Sequence, residues 1–199
     1  MHKTSLDKLI GKLSVSLTHA GYFMATAESC TGGMIAAQCT GMSGSSAWFR
    51  GGIVSYSNEM KRDVLHVPQE LLDTHGAVSG PVVESMALGA LAVCGADVSI
   101  AVSGIAGPTG GTPEKPVGTV WIAVAVPEKS GVCLRGESGP GANLFSCVRG
   151  LSCGKRVTVS VGQHLFPGDR YAVRRLTAET ALLTLGALLG EGVAAPAAQ

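Results

Sequence analysis

The chain has 199 residues, with 15 Lys+Arg against 14 Asp+Glu and a formal net charge of +1. Hydrophobic residues make up 46% and charged residues only 15%, against about 25% charged in a typical soluble domain, which excludes intrinsic disorder. The length suits one domain, and the near-neutral balance argues against a surface built to grip polyphosphate backbones.

Leu6, Leu9, Ile10, Leu13 and Leu17 recur at helical spacing and predict an opening amphipathic helix that Gly21 ends. Tyr22 to Ala27 reads as a buried strand, Glu28 to Gly33 as a small-residue turn, and Met34 to Cys39 as a short helix. Gly51 to Ser57 is a second strand, and Asn58 is the expected N-cap of a helix over Glu59 to Leu65. Pro68 opens a further short helix that Gly76 closes. Ser79 caps a helix from Pro81 to Cys94, Val98 to Ser103 is a buried strand, and Gly104 to Pro116 is a loop. Val117 to Val126 is expected to be the longest strand. Residues 136–156 hold five Gly, three Ser and two Cys without a sustained period, and read as a surface excursion. Val157 to Leu165 resumes as a strand, Phe166 to Arg170 turns, and a closing helix runs to Leu189 before a frayed tail, Glu191 to Gln199.

Helices alternating with apolar strands predict an α/β protein, a three-layer α/β/α sandwich around a mixed sheet. The expected organisation is one domain over residues 1–190, with 136–156 as an insertion and 191–199 as a tail. The apolar run Val120 to Val126 is far short of the roughly 20 residues that span a bilayer. The first residues carry no apolar signal block. Six Cys (Cys30, Cys39, Cys94, Cys133, Cys147, Cys153) include no C-x-x-C pair, which suits a reducing cytoplasm and small buried thiols.

Ligands of open α/β sheets bind beyond the strand ends. Three Gly/Ser/Thr-rich segments fit that place: Glu28–Gly33, Gly41–Ser46 and Ser103–Gly111. Free backbone N–H groups before helices make anion sites, so a shared phosphate-bearing ligand is expected, although no segment matches G-x-x-x-x-G-K-[ST] or G-x-G-x-x-G. Ser46, in a Gly-Ser-Ser turn, is a candidate nucleophile and Lys61 a candidate base. A serine needs such a base at neutral pH, and a lysine serves once burial or a helix N-terminus lowers its pKa. Tyr56 could relay the proton. Asp and Glu do not cluster, and His2, His19, His66, His75 and His164 are scattered without an H-E-x-x-H, so neither a metal nor another cofactor is expected. Cys30 reads as a buried structural thiol rather than an amidase thiolate.

The motifs A-E-S-C-T-G-G (Ala27–Gly33), G-S-S-A-W-F (Gly44–Phe49), V-S-Y-S-N-E-x-K (Val54–Lys61), H-G-A-V-S (His75–Ser79), S-G-I-A-G-P-x-G-G-T-P-E-K-P-V-G-T-V (Ser103–Val120) and P-G-D-R-x-A-V-R (Pro167–Arg174) occur in this order. Together they closely resemble the C-terminal domain of the competence/damage-inducible protein CinA, over about residues 5–135 and 160–190. The resemblance implies an α/β/α domain that, in its stand-alone form, hydrolyses the carboxamide of nicotinamide mononucleotide to nicotinate mononucleotide and ammonia, in pyridine-nucleotide salvage. It implies Ser46 as nucleophile, Lys61 as base, and Tyr56 and Ser103 as supporting hydroxyls. It implies Arg170 as the substrate-binding arginine, with Ser29, Thr31, Gly32, Gly33 and Gly107 holding the ligand. The choice of reacting serine stays open among Ser46, Ser29, Ser45 and Ser103. No molybdopterin-binding-like domain precedes the motifs, so pyrophosphatase activity is not expected. The expected partner is a small phosphorylated pyridine nucleotide, not nucleic acid or membrane, with self-association plausible from the family. Two other readings are a non-catalytic nucleotide-sensing module and a hydrolase for another pyridine carboxamide.

Overall fold

The computed structural model describes residues 5–128, 145–152 and 155–190. Its elements in chain order are α1 (Ser5–Ala20), β1 (Met24–Glu28), α2 (Met34–Thr40), a 3-10 turn (Ser45–Ala47), β2 (Phe49–Val54), α3 (Asn58–Asp63), α4 (Gln69–His75), α5 (Gly80–Cys94), β3 (Val98–Gly104), β4 (Thr119–Pro127), β5 (Phe145–Ser152), β6 (Lys155–Leu165) and α6 (Arg170–Leu188). The strands form one sheet in the order β2-β1-β3-β4-β6-β5. β1 pairs in parallel with β2 and β3, and the remaining neighbours are antiparallel. The sheet is therefore mixed, as expected.

Strand alternation divides the core in two. On one face Ile100, Val102, Ile122 and Val124 meet Leu13 and Leu17 of α1, Ile35 of α2, and Leu182 and Leu185 of α6. On the other, Ala25, Ala27, Ala101, Ala123 and Ala125 meet Val83, Met86, Ala87 and Ala90 of α5. These small side chains let α5 lie close to the sheet, where Ser99 Oγ donates to Ala87 O at 2.8 Å. α5 is pressed from its other side too: a Cβ on Gly89 would collide with the carbonyl of Leu65 in the α3–α4 connection.

Two expectations are corrected. Part of the supposed surface excursion, residues 145–152, is the edge strand β5, paired from Phe145↔Gly162 to Ser152↔Lys155. Its partner β6, at 11 residues, is longer than β4 at 9. Backbone pairing with a long neighbour made a strand there, which composition alone did not reveal. Residues 136–144, Cys133, Cys153 and the tail 191–199 lie outside the described residues. No described helix is long and apolar enough to cross a membrane.

Candidate active site

β1 lies between β2 and β3 in the sheet. After β1 the chain leaves through α2 to one face; after β2 it leaves through α3–α5 to the other. This divergence opens a crevice beyond the carboxyl ends of the strands. Ser29 follows β1, Ser55 and Tyr56 follow β2, and Ser103 stands near the end of β3.

α3 carries Lys61 into this crevice. Its N-cap is Ser57, whose Oγ accepts from Met60 N at 3.2 Å, rather than the expected Asn58. Asn58 already has helical backbone, so the capping hydroxyl comes one residue earlier. Lys61 is 1% exposed. Its Nζ donates to Ser55 O at 2.8 Å, Ser29 Oγ at 3.2 Å and Tyr56 O at 3.3 Å. None of these acceptors is a carboxylate. Burial pushes the amine below the ordinary lysine range, with Cys30 and Glu59 acting more weakly the other way.

Glu28, 1% exposed, sits immediately before Ser29. Its Oε2 accepts from Gly33 N (3.0 Å) and Ile35 N (3.1 Å), and its Oε1 from Ala36 N (2.8 Å) and Thr26 Oγ1 (3.3 Å). The carboxylate thus satisfies the otherwise orphaned N–H groups that open α2. Gly32 N donates to Ser29 O at 3.1 Å. The amides of Gly32 and Gly33 are therefore already engaged. The amide of Gly33 is taken by the protein's own carboxylate, and that of Gly32 closes the turn onto Ser29, so neither N–H points to a ligand phosphate in the way expected.

The Ser46–Lys61 pair is also corrected. Ser46 lies in the 3-10 turn before β2, at the end of the sheet marked by Met24↔Phe49 and by Met24 N donating to Trp48 O at 2.7 Å. Ser29 lies past the opposite end, marked by Glu28↔Val54. The six residues of β2 carry the chain roughly 17–20 Å between them. Ser46 is exposed, beside a cleft lined by Ser14, Thr18, Ser43 and Trp48.

Tyr56 contributes differently from the expected proton relay. Its carbonyl accepts from Lys61, while its hydroxyl accepts from Arg170 Nη2 at 3.2 Å. The ring is 61% exposed. Arg170 opens α6, capped by Asp169 Oδ1 accepting from Ala172 N, and its Nη1 donates to Gly107 O at 2.8 Å. Ser103, 1% exposed, donates to Ala77 O at 2.7 Å, which ties β3 to the loop before α5. The crevice thus brings together Lys61, Ser29, Tyr56 and Arg170, with Thr31 and Gly107 at its edge. Cys30 is no nucleophile at neutral pH, since burial pushes its thiol up to about 12. Among the described residues, no group of three or more His, Cys, Asp or Glu side chains lies together.

Sequence reasoning missed three participants. Glu28 was signalled by an acid at a strand end just before a helix. Ser55, whose carbonyl holds Lys61, carries no sequence signal. Arg174, whose Nη2 donates to Thr31 O at 2.7 Å, was signalled by its place one helical turn beyond Arg170.

The family profile described as the CinA C-terminal domain matches residues 6–143. The chain is 42% identical over 185 residues to the nicotinamide-nucleotide amidohydrolase PncC of Escherichia coli K12, covering 93% of this chain and 95% of that protein. Among solved structures it resembles the competence/damage inducible protein CihA from Agrobacterium tumefaciens, at TM-score 0.75 and 35% identity, covering 94% of this chain and 98% of that one. It equally resembles a CinA superfamily protein from Klebsiella pneumoniae, at TM-score 0.74 and 33% identity, covering 95% and 100%. With a profile over most of its length and near-complete coverage of these relatives, the chain belongs to the CinA C-terminal domain family.

Proposed function

We propose that this protein is a nicotinamide-nucleotide amidohydrolase in which Ser29 is the nucleophile and Lys61 its base. One observation carries the mechanism: a fully buried amine, with no carboxylate partner among the described residues, lies 3.2 Å from the hydroxyl of Ser29. The full-length likeness to an amidohydrolase of that name supplies the substrate.

Neutral Lys61 takes the proton of Ser29 as Oγ attacks the carboxamide carbon and the C–O bond forms. The resulting ammonium returns that proton to the departing nitrogen as the C–N bond breaks, and ammonia leaves. Water then attacks the ester on Ser29, losing its proton to Lys61, which passes one back to the serine oxygen. The balance is one water consumed, with one carboxylic acid and one ammonia formed. The pyridinium ring of nicotinamide mononucleotide, by like-charge repulsion, further favours neutral Lys61. Arg170, at the exposed mouth beside Tyr56, takes the single phosphate as a charge-assisted fork. The expected setting is pyridine-nucleotide salvage.

The test is incubation of the purified protein with nicotinamide mononucleotide, measuring ammonia release. Stoichiometric nicotinate mononucleotide and ammonia support the reading. Calorimetric binding without release over hours replaces it with a non-catalytic nucleotide sensor.

A further inference from the structure

We propose that Arg174 is a positioning residue for the nucleophile: its guanidinium holds the turn that presents Ser29 to Lys61. The inference rests on the Ser29–Lys61 reading above.

Ser29 is the first residue of a turn closed by Gly32 N donating to Ser29 O at 3.1 Å. The far side of the turn, from Gly33 onward, is fixed by three N–H bonds to Glu28. The near side is tied to β3 at its start, where Ser29 N donates to Val102 O at 3.1 Å, and Thr31 lies two residues beyond that tie. Thr31 is fully buried, yet its hydroxyl has no partner among the described residues, and Met34 N reaches its carbonyl only at 3.4 Å. The short bond to this side comes from α6, where Arg174 Nη2 donates to Thr31 O at 2.7 Å. The same nitrogen would lie 3.6 Å from a Cβ on Gly32, whose φ is +60°, so the guanidinium lies directly over the turn.

Arg170 and Arg174 are one helical turn apart on α6, a like-charge spacing that disfavours a helix. The two serve different loops: Arg170 reaches Gly107 O and Tyr56 OH, and Arg174 reaches Thr31 O. Arg174 Nε is buried without a partner among the described residues, so the group is placed for the Thr31 carbonyl rather than for its own full hydrogen bonding. One helix face thereby connects the mouth of the crevice with its nucleophile. Loss of that bond frees Thr31 and lets Ser29 drift from Lys61, and a displacement of about 1 Å costs on the order of 10²-fold in rate.

The test compares wild type, Arg174→Met and Arg174→Lys by steady-state ammonia release, by the rate at which phenylmethylsulfonyl fluoride labels Ser29 (read by peptide mass), and by thermal unfolding. Arg174→Met is expected to lower kcat by roughly 10- to 100-fold, with KM within about threefold and labelling slowed by a similar factor. Arg174→Lys, which keeps one donor, is expected to recover part of both rates with the melting temperature of wild type. Wild-type kcat in Arg174→Met overturns the proposal. So does a raised KM at unchanged kcat, which would make Arg174 a substrate ligand. If Arg174→Met does not fold, Arg174→Lys decides: kcat and labelling must fall together, and unchanged values of either overturn the proposal. Failure of the underlying reading looks different, because wild type itself would then not label at Ser29, whether or not it releases ammonia.

Discussion

The two ends of the sheet carry loops of similar composition and opposite character. Glu28–Gly33, at the carboxyl end of β1, contains a buried glutamate and meets the buried Lys61 and Arg174 of α6. Gly41–Ser46, at the other end, meets α1 and covers Trp48, which is 2% exposed. Small residues serve close backbone approach in both places. Only the first has charges withdrawn from water, and desolvation is what changes the chemistry of an amine or a hydroxyl. A glycine- and serine-rich loop is thus no site in itself; the buried amine beside it makes the difference.

The sharpest way to break this contrast is to remove the dyad. Ser29→Ala and Lys61→Met are each expected to lower kcat/KM for nicotinamide mononucleotide by about 10³-fold or more, while circular dichroism stays that of wild type. Residual activity within tenfold of wild type in either variant would assign the chemistry elsewhere. Next in size is Trp48→Ala, at the other end. It should destabilise the fold by about 3–5 kcal/mol in denaturant unfolding, with kcat per folded molecule unchanged; a specific loss of kcat would give that end a catalytic part.

A smaller effect concerns pH. Lys61 acts as base only when neutral, and burial lowers its pKa. The rate should therefore rise by about tenfold per unit up to that lowered pKa and then level. Stability follows with the same sign. Between the folded pKa and the ordinary value of 10.5 the unfolded chain binds the extra proton, so wild type gains stability as pH rises through that window. Lys61→Met lacks this gain. An acid limb lying in the ordinary lysine range, measured as kcat/KM against pH, would contradict the buried-base account. Smallest of all, Ser46→Ala should change kcat/KM by less than about twofold, since its hydroxyl is exposed beyond the opposite end of β2.

Much of the layered fold was legible because apolar periodicity and capping are local properties. Leu9, Leu13 and Leu17 follow helical spacing and face the core, and the Gly95 C-cap ends α5 where the sequence reading ends it. The pairing of Ser46 with Lys61 failed for a geometric reason already present in the sequence. A strand was expected between them, and a strand carries its two flanking loops to opposite ends of a sheet. Lys61 itself was legible from its place near a helix start. Its partner was not, because Ser29 is 32 residues away and reaches it only through the parallel pairing of β1 with β2. β5 was hidden for a similar reason, since an edge strand draws its order from a neighbour. Glu28 and Arg174 show the limit from another side: a strand-end position and a one-turn spacing single out a residue without telling which backbone groups it bonds.

The contact between α5 and the connection after α3 reaches as far as the chemistry. Leu65 is four residues past Lys61, and Val67 N donates to the carbonyl of Lys61 at 3.1 Å. A single methyl added at position 89 would have to displace this stretch of chain, carrying the base with it. An inactive variant at Gly89 would then leave every side chain of the crevice chemically intact, its defect being an amine set down in the wrong place.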